Sequence, residues 1–300
     1  MTLTEPWLSI VSMTPAYRSI FRPGLFDGQL HWVTGGGSGI GRCVAHELAA
    51  LGALVLISGR IQEKLDRVAA EIREDGGRVD TRAFDIRDED AVRSAVASVL
   101  AQHGAITGLV NNAGGQFPAP LTAISRKGFD AVLANNLTGG FLMMREVYNQ
   151  GMAQHGGAIV NMTADFRNGM PGMAHSGAAR AGMSNLTMTA AYEWAHAGVR
   201  VNAVAPGWIA SAGMDTYRGP MRALIPRLKD HVPLRRMGVE AEVSAAIVFL
   251  LSPGASFVTG VTLQIDGAAS LGSEIVPLGK SSRSVAFDGF HRAVLPDVLK

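Results

Sequence analysis

Thr34-Gly35-Gly36-Gly37-Ser38-Gly39-Ile40-Gly41 places five glycines within eight positions. A stretch of that type does one kind of chemistry well. With no side chains in the way the chain turns tightly, and its backbone N–H groups close on a diphosphate. Glycines alone also describe an ordinary surface loop. Here they lie between an apolar run, Leu30–Val33, and a segment of helical period, Gly39–Leu51, and strand, glycines and helix in that order are what a dinucleotide requires. A second apolar run ends in Ile57-Ser58-Gly59-Arg60, near where a site for NAD offers an acidic residue to the ribose 2′-hydroxyl. No carboxylate stands there. Arg60 is able to form a bidentate, charge-assisted pair with a 2′-phosphate, with Ser58 as a further donor, which points to NADP(H) over NAD(H). The competing reading of Arg60 is a solvated residue at a helix start.

These groups need a scaffold to position them. From Leu30 to Asp266 short apolar runs alternate with longer segments of helical period. This is the pattern of βαβ units, and it predicts an α/β fold: a single doubly wound Rossmann-type domain with a parallel sheet of about seven strands. The expected strands are Leu30–Val33, Ala53–Ser58, Val79–Phe84, Gly108–Val110, Ala158–Met162, Val199–Val204 and Val261–Ile265. Helices are expected over Gly39–Leu51, Gln62–Asp75, from an Asp88 N-cap to His103, over Phe129–Gln150, and over Ala174–Ala197. The core spans residues 28–270. An extension, 1–27, precedes it, and a Gly-, Ser- and Pro-rich tail or oligomer arm, 271–300, follows. No repeat or polar linker divides the 300 residues, so one domain is expected.

Composition removes several classes of function. The formal net charge of +2, with acids and bases interleaved, offers no basic stripe for a nucleic acid backbone. No apolar run approaches the roughly 18–20 residues of a spanning helix, and Met1–Arg22 lacks the pattern of a signal peptide. The single cysteine, Cys43, excludes an intrachain disulfide, is read as a buried inert thiol, and agrees with a cytoplasmic location. The eight histidines are scattered without ligand spacing, so no metal is expected.

The glycine spacing is T-G-x-x-x-G-x-G, and with later motifs in the same order it resembles the short-chain dehydrogenase/reductase family. Asn111-Asn112-Ala113-Gly114 is similar to that family's N-N-A-G after the fourth strand, and Asp85-Ile86 follows the third strand where an adenine is contacted. Asn136 in Asn-Leu-Thr-Gly resembles the asparagine of the catalytic helix. Pro206-Gly207, with Ile209 and Ser211 after it, resembles the loop that contacts nicotinamide and phosphates. The resemblance covers about Leu30 to Gly267. It implies a cofactor site of Thr34, Gly35, Gly37, Ser38, Gly39, Ile40, Gly41, Ser58, Arg60, Asp85, Ile86, Asn112, Ala113, Gly114, Arg180, Pro206, Gly207, Ile209 and Ser211, and a homo-oligomer, tetramer or dimer, joined through the long helices.

The catalytic centre departs from that pattern. Ordinary members carry Tyr-x-x-x-Lys on the long helix, on one helical face, with a serine on the preceding strand. Aligning Ala179-Arg180-Ala181-Gly182 with the family's Ser-Lys-Ala-Gly puts Ser176 at the Tyr position and Arg180 at the Lys position. The strand-end serine falls near Thr163 or Ala164. An arginine holds a ribose as lysine does but does not shuttle protons near neutrality. The segment from His175 to Gly182, followed by Asn185-Leu186-Thr187, resembles peroxisomal trans-2-enoyl-CoA reductases and, more loosely, 2,4-dienoyl-CoA reductases. This implies an acyl-CoA-like substrate reduced at C=C. The displaced acid of those enzymes corresponds to about Asp165 or Ser184, and neither is Tyr.

Asn136, Ser176 and His175 are therefore the candidates for the enolate donor, with Arg180 at the ribose; a cap or packing role stands against Ser176 and His175. Asp165 is open between a buried acid and a solvated loop carboxylate. Tyr217, in the substrate-side segment Ala212–Asp230, is able to swing inward. Met162, Met170, Met173, Met183 and Met188 line an adaptable acyl pocket or fill the core. Two further readings remain: alcohol/carbonyl interconversion on a terpenoid alcohol or 3-hydroxyacyl thioester, and a nucleotide-binding protein without turnover.

Overall fold

Strand β1, Leu30–Thr34, is buried along its whole length, as expected of a strand covered by helices on both faces. The structure is a computed structural model that describes residues 16–271, 277–279 and 282–300. Parts of the extension expected at 1–27 and of the tail expected at 271–300 lie outside the described residues. β1 leads through the glycine turn into helix α1, Gly39–Ala50, followed by β2, Leu54–Gly59, α2, Gln62–Glu74, and β3, Arg78–Ala83. Next come α3, Glu89–His103, β4, Ile106–Asn111, and a long broken helix comprising α4, Arg126–Leu133, α5, Gly139–Val147, and α6, Ala153–His155. After β5, Gly157–Met162, helix α7, Ala174–Trp194, returns to β6, Val199–Pro206. The two-residue strands β7, Ile209–Ala210, and β8, Gly238–Val239, pair with each other and bracket the short helix α8, Gly219–Leu224. α9, Glu240–Leu251, and β9, Thr262–Ile265, complete the helices and strands among the described residues.

Seven strands form one parallel sheet in the order β3-β2-β1-β4-β5-β6-β9, the doubly wound sheet that the alternation predicts. Val33, Val55 and Ile57 face one apolar core, whereas Trp32 and Leu56 face the other, because successive side chains of a strand point to opposite sides. Strand order reverses between β1 and β4, and the crevice beyond their carboxyl ends is where such sheets take ligands.

Three local features differ from expectation, each for a physical reason. The predicted helix Phe129–Gln150 is interrupted by π-helical turns at Ala134–Thr138 and Tyr148–Met152; such bulges re-aim side chains and cluster at functional sites. α9 is buried over most of its circumference, so it carries no amphipathic stripe and periodicity does not reveal it. Residues 282–300 fold back on the chain's own core: Phe290 is buried beside Tyr17 and Cys43, and Arg292 pairs with Asp75 at 2.6 Å and Glu74 at 2.8 Å. The Asp88 cap forms as expected, its carboxylate accepting from the Ala91 N–H at 3.0 Å, a contribution of about 1 kcal/mol.

Candidate functional site

The glycine turn is held from behind by side chains of β1 and β4. Thr34 is buried, and its Oγ1 accepts from the N–H groups of Asn112 and Ala113 at 3.0 Å each. Asn112 in turn donates to the Thr34 carbonyl at 2.9 Å. Several positions of the turn need glycine, Gly35 and Gly41 among them. At Gly35, φ is +68°, and an added Cβ would lie 2.9 Å from the Ala113 Cα. At Gly41 it would lie 2.4 Å from Asn112 Nδ2 and 2.5 Å from the Gly35 carbonyl oxygen. Ser38 is the N-cap of α1 but its side chain makes no capping bond, and the first turn of the helix carries no acid. Its leading N–H groups and positive dipole end therefore face the crevice unsatisfied, which fits a diphosphate.

Beside this cradle a hollow of about 170 Å³ is lined by Gly35, Gly37, Ser38, Ser58, Arg60, Lys64, Phe84, Asp85, Ile86, Ala113 and Gly114 among others. Ser58 accepts from Trp32 Nε1 at 3.0 Å, leaving its own hydroxyl proton to donate. Arg60 is exposed and has no hydrogen bond or ion pair among the described residues. Lys64, which sequence reasoning did not single out, adds a second cation one turn into α2; its spacing from Arg60 was the signal available. The Asp85 carboxylate is taken up by Arg87, including bonds from Arg87 Nε at 2.9 and 3.0 Å, and Arg87 holds it below the usual carboxylate range. What Asp85 offers the hollow is its backbone and its place next to the buried Ile86.

A larger cavity of about 480 Å³ continues from the cradle across the carboxyl ends of β4, β5 and β6, within the usual range for a small-molecule site. Its walls include Ser38, Gly39, Ile40, Asn112, Ala113, Gly114, Gln116, Thr163, Arg180, Pro206, Gly207, Ile209, Ser211 and Tyr217. Arg180 is the one member of the expected catalytic set among these lining residues. Its Nη1 donates to the Met162 carbonyl at 2.6 Å, and its Nε is buried without a partner. Burial pushes its pKa down to about 10, so the guanidinium stays charged at neutral pH.

The other three expected catalytic residues stand behind the wall. Asn136, turned inward by the first π turn, accepts from the Gly115 N–H at 3.0 Å and donates to the carbonyls of Gly115 and Val132 at 2.6 and 3.0 Å. Both of its amide N–H groups are engaged in bracing the loop after β4. His175 is fully buried, its Nδ1 accepts from the Ser176 N–H at 2.9 Å, and its ring meets Phe117 edge-on. Ser176 is also fully buried, and its hydroxyl donates to the Oε1 of Gln116, which does line the cavity.

Of the displaced-acid positions, Ser184 lies on the far side of α7, within 3.4 Å of Thr262 Oγ1. Asp165 is half-buried, with one carboxyl oxygen enclosed and unpartnered. Burial, followed by the nearby charge of Asp266, raises its pKa. Among the five methionines only Met162 lines the cavity; Met214 joins it, while Met188 is 52% exposed and Met183 packs in the interior. Cys43 is buried, and burial pushes its thiol pKa up, as befits an inert thiol. Gln116 was missed because its role depends on a contact 60 residues distant.

Among the described residues no helix is long and apolar enough to cross a membrane. Residues 35–270 match the family described as Enoyl-(Acyl carrier protein) reductase. The chain is 36% identical over 261 residues to the peroxisomal 2,4-dienoyl-CoA reductase of Danio rerio, covering 86% of each chain. It is 34% identical over 238 residues to a probable 2,4-dienoyl-CoA reductase of Bacillus subtilis, covering 78% of this chain and 94% of that one. Among solved structures it resembles a citronellol catabolism dehydrogenase of Pseudomonas aeruginosa PAO1, with a TM-score of 0.78 and 64% identity over 85% of this chain and 100% of that one. With its parallel sheet, its glycine cradle and this likeness along most of its length, the chain belongs to the short-chain dehydrogenase/reductase family of oxidoreductases, whose members use nicotinamide cofactors, and is similar to the dienoyl-CoA reductases within it.

Proposed function

We propose that this protein is an NADP(H)-dependent reductase acting on the C=C bond of an enoyl- or dienoyl-CoA-like thioester. The observation that carries the reading is the Arg180 guanidinium, buried and charged where the family's ordinary members keep a lysine, with Ser176 in place of the tyrosine four residues earlier. Alcohol oxidation needs a base to take the hydroxyl proton as hydride leaves, and a charged guanidinium with a buried serine makes a poor one. Hydride addition to a conjugated C=C needs chiefly a donor for the developing enolate oxygen.

The reduced nicotinamide, when bound, supplies the hydride. Gly35 to Gly41 and the start of α1 hold the diphosphate, Arg60, Lys64 and Ser58 hold a 2′-phosphate, and Arg180 holds the nicotinamide ribose. Thr34, Asn112 and Asn136 keep the cradle and the loop after β4 in shape. Asp165, three residues past the end of β5, does not line the cavity, and the proton for the substrate carbon is assigned to water. Met162 and Met214 give the acyl side of the cavity an adaptable apolar wall. The exposed Met188 and Tyr192 on α7, the latter 88% exposed, suit a long-helix interface between copies, and we place the protein in the cytoplasm.

A second reading, dehydrogenation of a terpenoid alcohol, is favoured by the 64% identity to a citronellol catabolism dehydrogenase. Two assays separate them: NADPH consumption with crotonyl-, octenoyl- and dienoyl-CoA, and NADP reduction with an alcohol panel that includes citronellol. Turnover of a thioester and none of the alcohols is the expected result; the reverse selects the second reading. NADPH binding with silence in both assays would make the protein a nucleotide binder without turnover.

A further inference from the structure

The chain has four tyrosines, and three of them are committed elsewhere. Tyr192 stands on the outer face of α7, Tyr148 stacks on Trp194 with ring centroids 4.2 Å apart, and Tyr17 is buried against Cys43 and Glu47. Tyr217 alone lines the cavity. It follows the 3-10 turn Ala212–Thr216, in the segment that covers the carboxyl end of β6.

Its hydroxyl is held by a directional chain of hydrogen bonds. Ser176 Oγ donates to Gln116 Oε1, and Gln116 Nε2 donates to the Tyr217 hydroxyl oxygen at 3.1 Å. The phenol oxygen therefore accepts from the amide and keeps its own proton, which no acceptor takes among the described residues. A phenol that accepts one bond is a stronger donor of the next, since chained hydrogen bonds polarise one another. Ser176 occupies the helical position where the family's ordinary members carry their acid tyrosine. The structure thus links that position, through one glutamine, to a phenol delivered from a different element.

We propose that Tyr217 is a catalytic residue: its O–H donates to the substrate carbonyl oxygen, while Gln116 and Ser176 are positioning residues that hold it. This deepens the reductase reading and rests on it. As hydride adds to Cβ, two electrons enter the substrate, the C=C pair shifts toward Cα and the carbonyl oxygen, and negative charge builds on that oxygen. The phenol stabilises this charge by a hydrogen bond without giving up its proton. Cα then takes a proton from water, and the enolate reverts to the saturated thioester. Removing one such donor typically costs about 100-fold in rate.

The test is Tyr217→Phe, which deletes one oxygen from a partly exposed loop residue. Expected is a fall in kcat of about 100-fold, with NADPH affinity, read by fluorescence titration, within twofold of wild type. Gln116→Ala and Ser176→Ala should lower kcat less, and in a double-mutant cycle neither should add to Tyr217→Phe, because each acts through the phenol. A kcat for Tyr217→Phe within twofold of wild type overturns the proposal, as does a full additional loss from Gln116→Ala in the Phe background.

If the wild type turns over no thioester and no alcohol, it is the reductase reading that fails. The phenol is then judged by calorimetric binding of the unreactive butyryl-CoA in the presence of NADP. Tenfold weaker binding by Tyr217→Phe supports the contact; equal binding, or none by either protein, overturns it.

Discussion

Two regions of the same sheet edge are made from different materials. Beyond β1 and β2 the site is mostly backbone: a glycine turn, the free N–H groups of α1, and side chains such as Thr34 and Asn112 that serve only to hold them. Beyond β5 and β6 the walls are side chains from widely separated segments, with Gln116, Arg180 and Tyr217 all reaching one cavity. A backbone site tolerates little change at its contact points, because no rotamer is available to give way. A side-chain site is assembled by the packing of loops and takes substitutions that alter chemistry without altering shape. On the proposed reading, the first region is the one common to proteins that share a cofactor, and the second is where substrate choice would reside.

Breaking the cradle should have the largest effect. Gly41→Ala puts a methyl against Asn112 Nδ2 and the Gly35 carbonyl oxygen, both at 2.5 Å or less, and nucleotide affinity should fall by about 100-fold. Fluorescence titration with NADPH checks this, and a variant that binds normally would show that the turn is not held rigidly. Arg60→Glu sharpens the comparison, since it changes a side chain within the backbone region. NADPH should weaken by about tenfold or more while NADH is spared, and equal loss for both would remove the 2′-phosphate assignment.

Glu240 sits at the joint between the regions, near Gly39 of the cradle and the backbone of Ala212 in the substrate segment. Burial pushes its pKa from 4.5 up to about 7, against the opposing influence of Arg42 and the Ala212 N–H. A group whose pKa is raised by folding stabilises the fold below its unfolded value, and that contribution is lost as pH rises through the folded one. Between pH 4.5 and 7, Glu240→Gln should therefore remove a stability slope of at most about 1.4 kcal/mol per pH unit. Urea midpoints measured across that window, the same for both proteins at every pH, would contradict it.

The smallest effect is expected at the tail. Asp215 accepts from the N–H groups of Asp297 and Val298 at 3.0 Å each, two residues before Tyr217 in the chain. Asp215→Asn should loosen this strap and raise the KM for the organic substrate roughly threefold, with kcat and NADPH affinity unchanged. Steady-state kinetics decide it, and a fall in kcat matching Tyr217→Phe would mean that the strap sets the phenol's position as well.

Sequence alone was sufficient for the doubly wound sheet, the glycine turn and the absence of a carboxylate after β2, because each is a local pattern: alternating apolar runs, consecutive glycines, a short strand end. It also located Arg180 and Ser176 four residues apart on α7. It did not reveal α9, which is buried on most sides and so lacks a stripe, nor the π turn that carries Asn136 inward to brace Gly115. Which hydroxyl faces the cavity was decided only by tertiary structure. Ser176 is sealed behind Gln116 and Tyr217 is brought over the sheet by a loop, and hydrogen bonds between residues 60 and 101 positions apart leave no periodic trace in a chain.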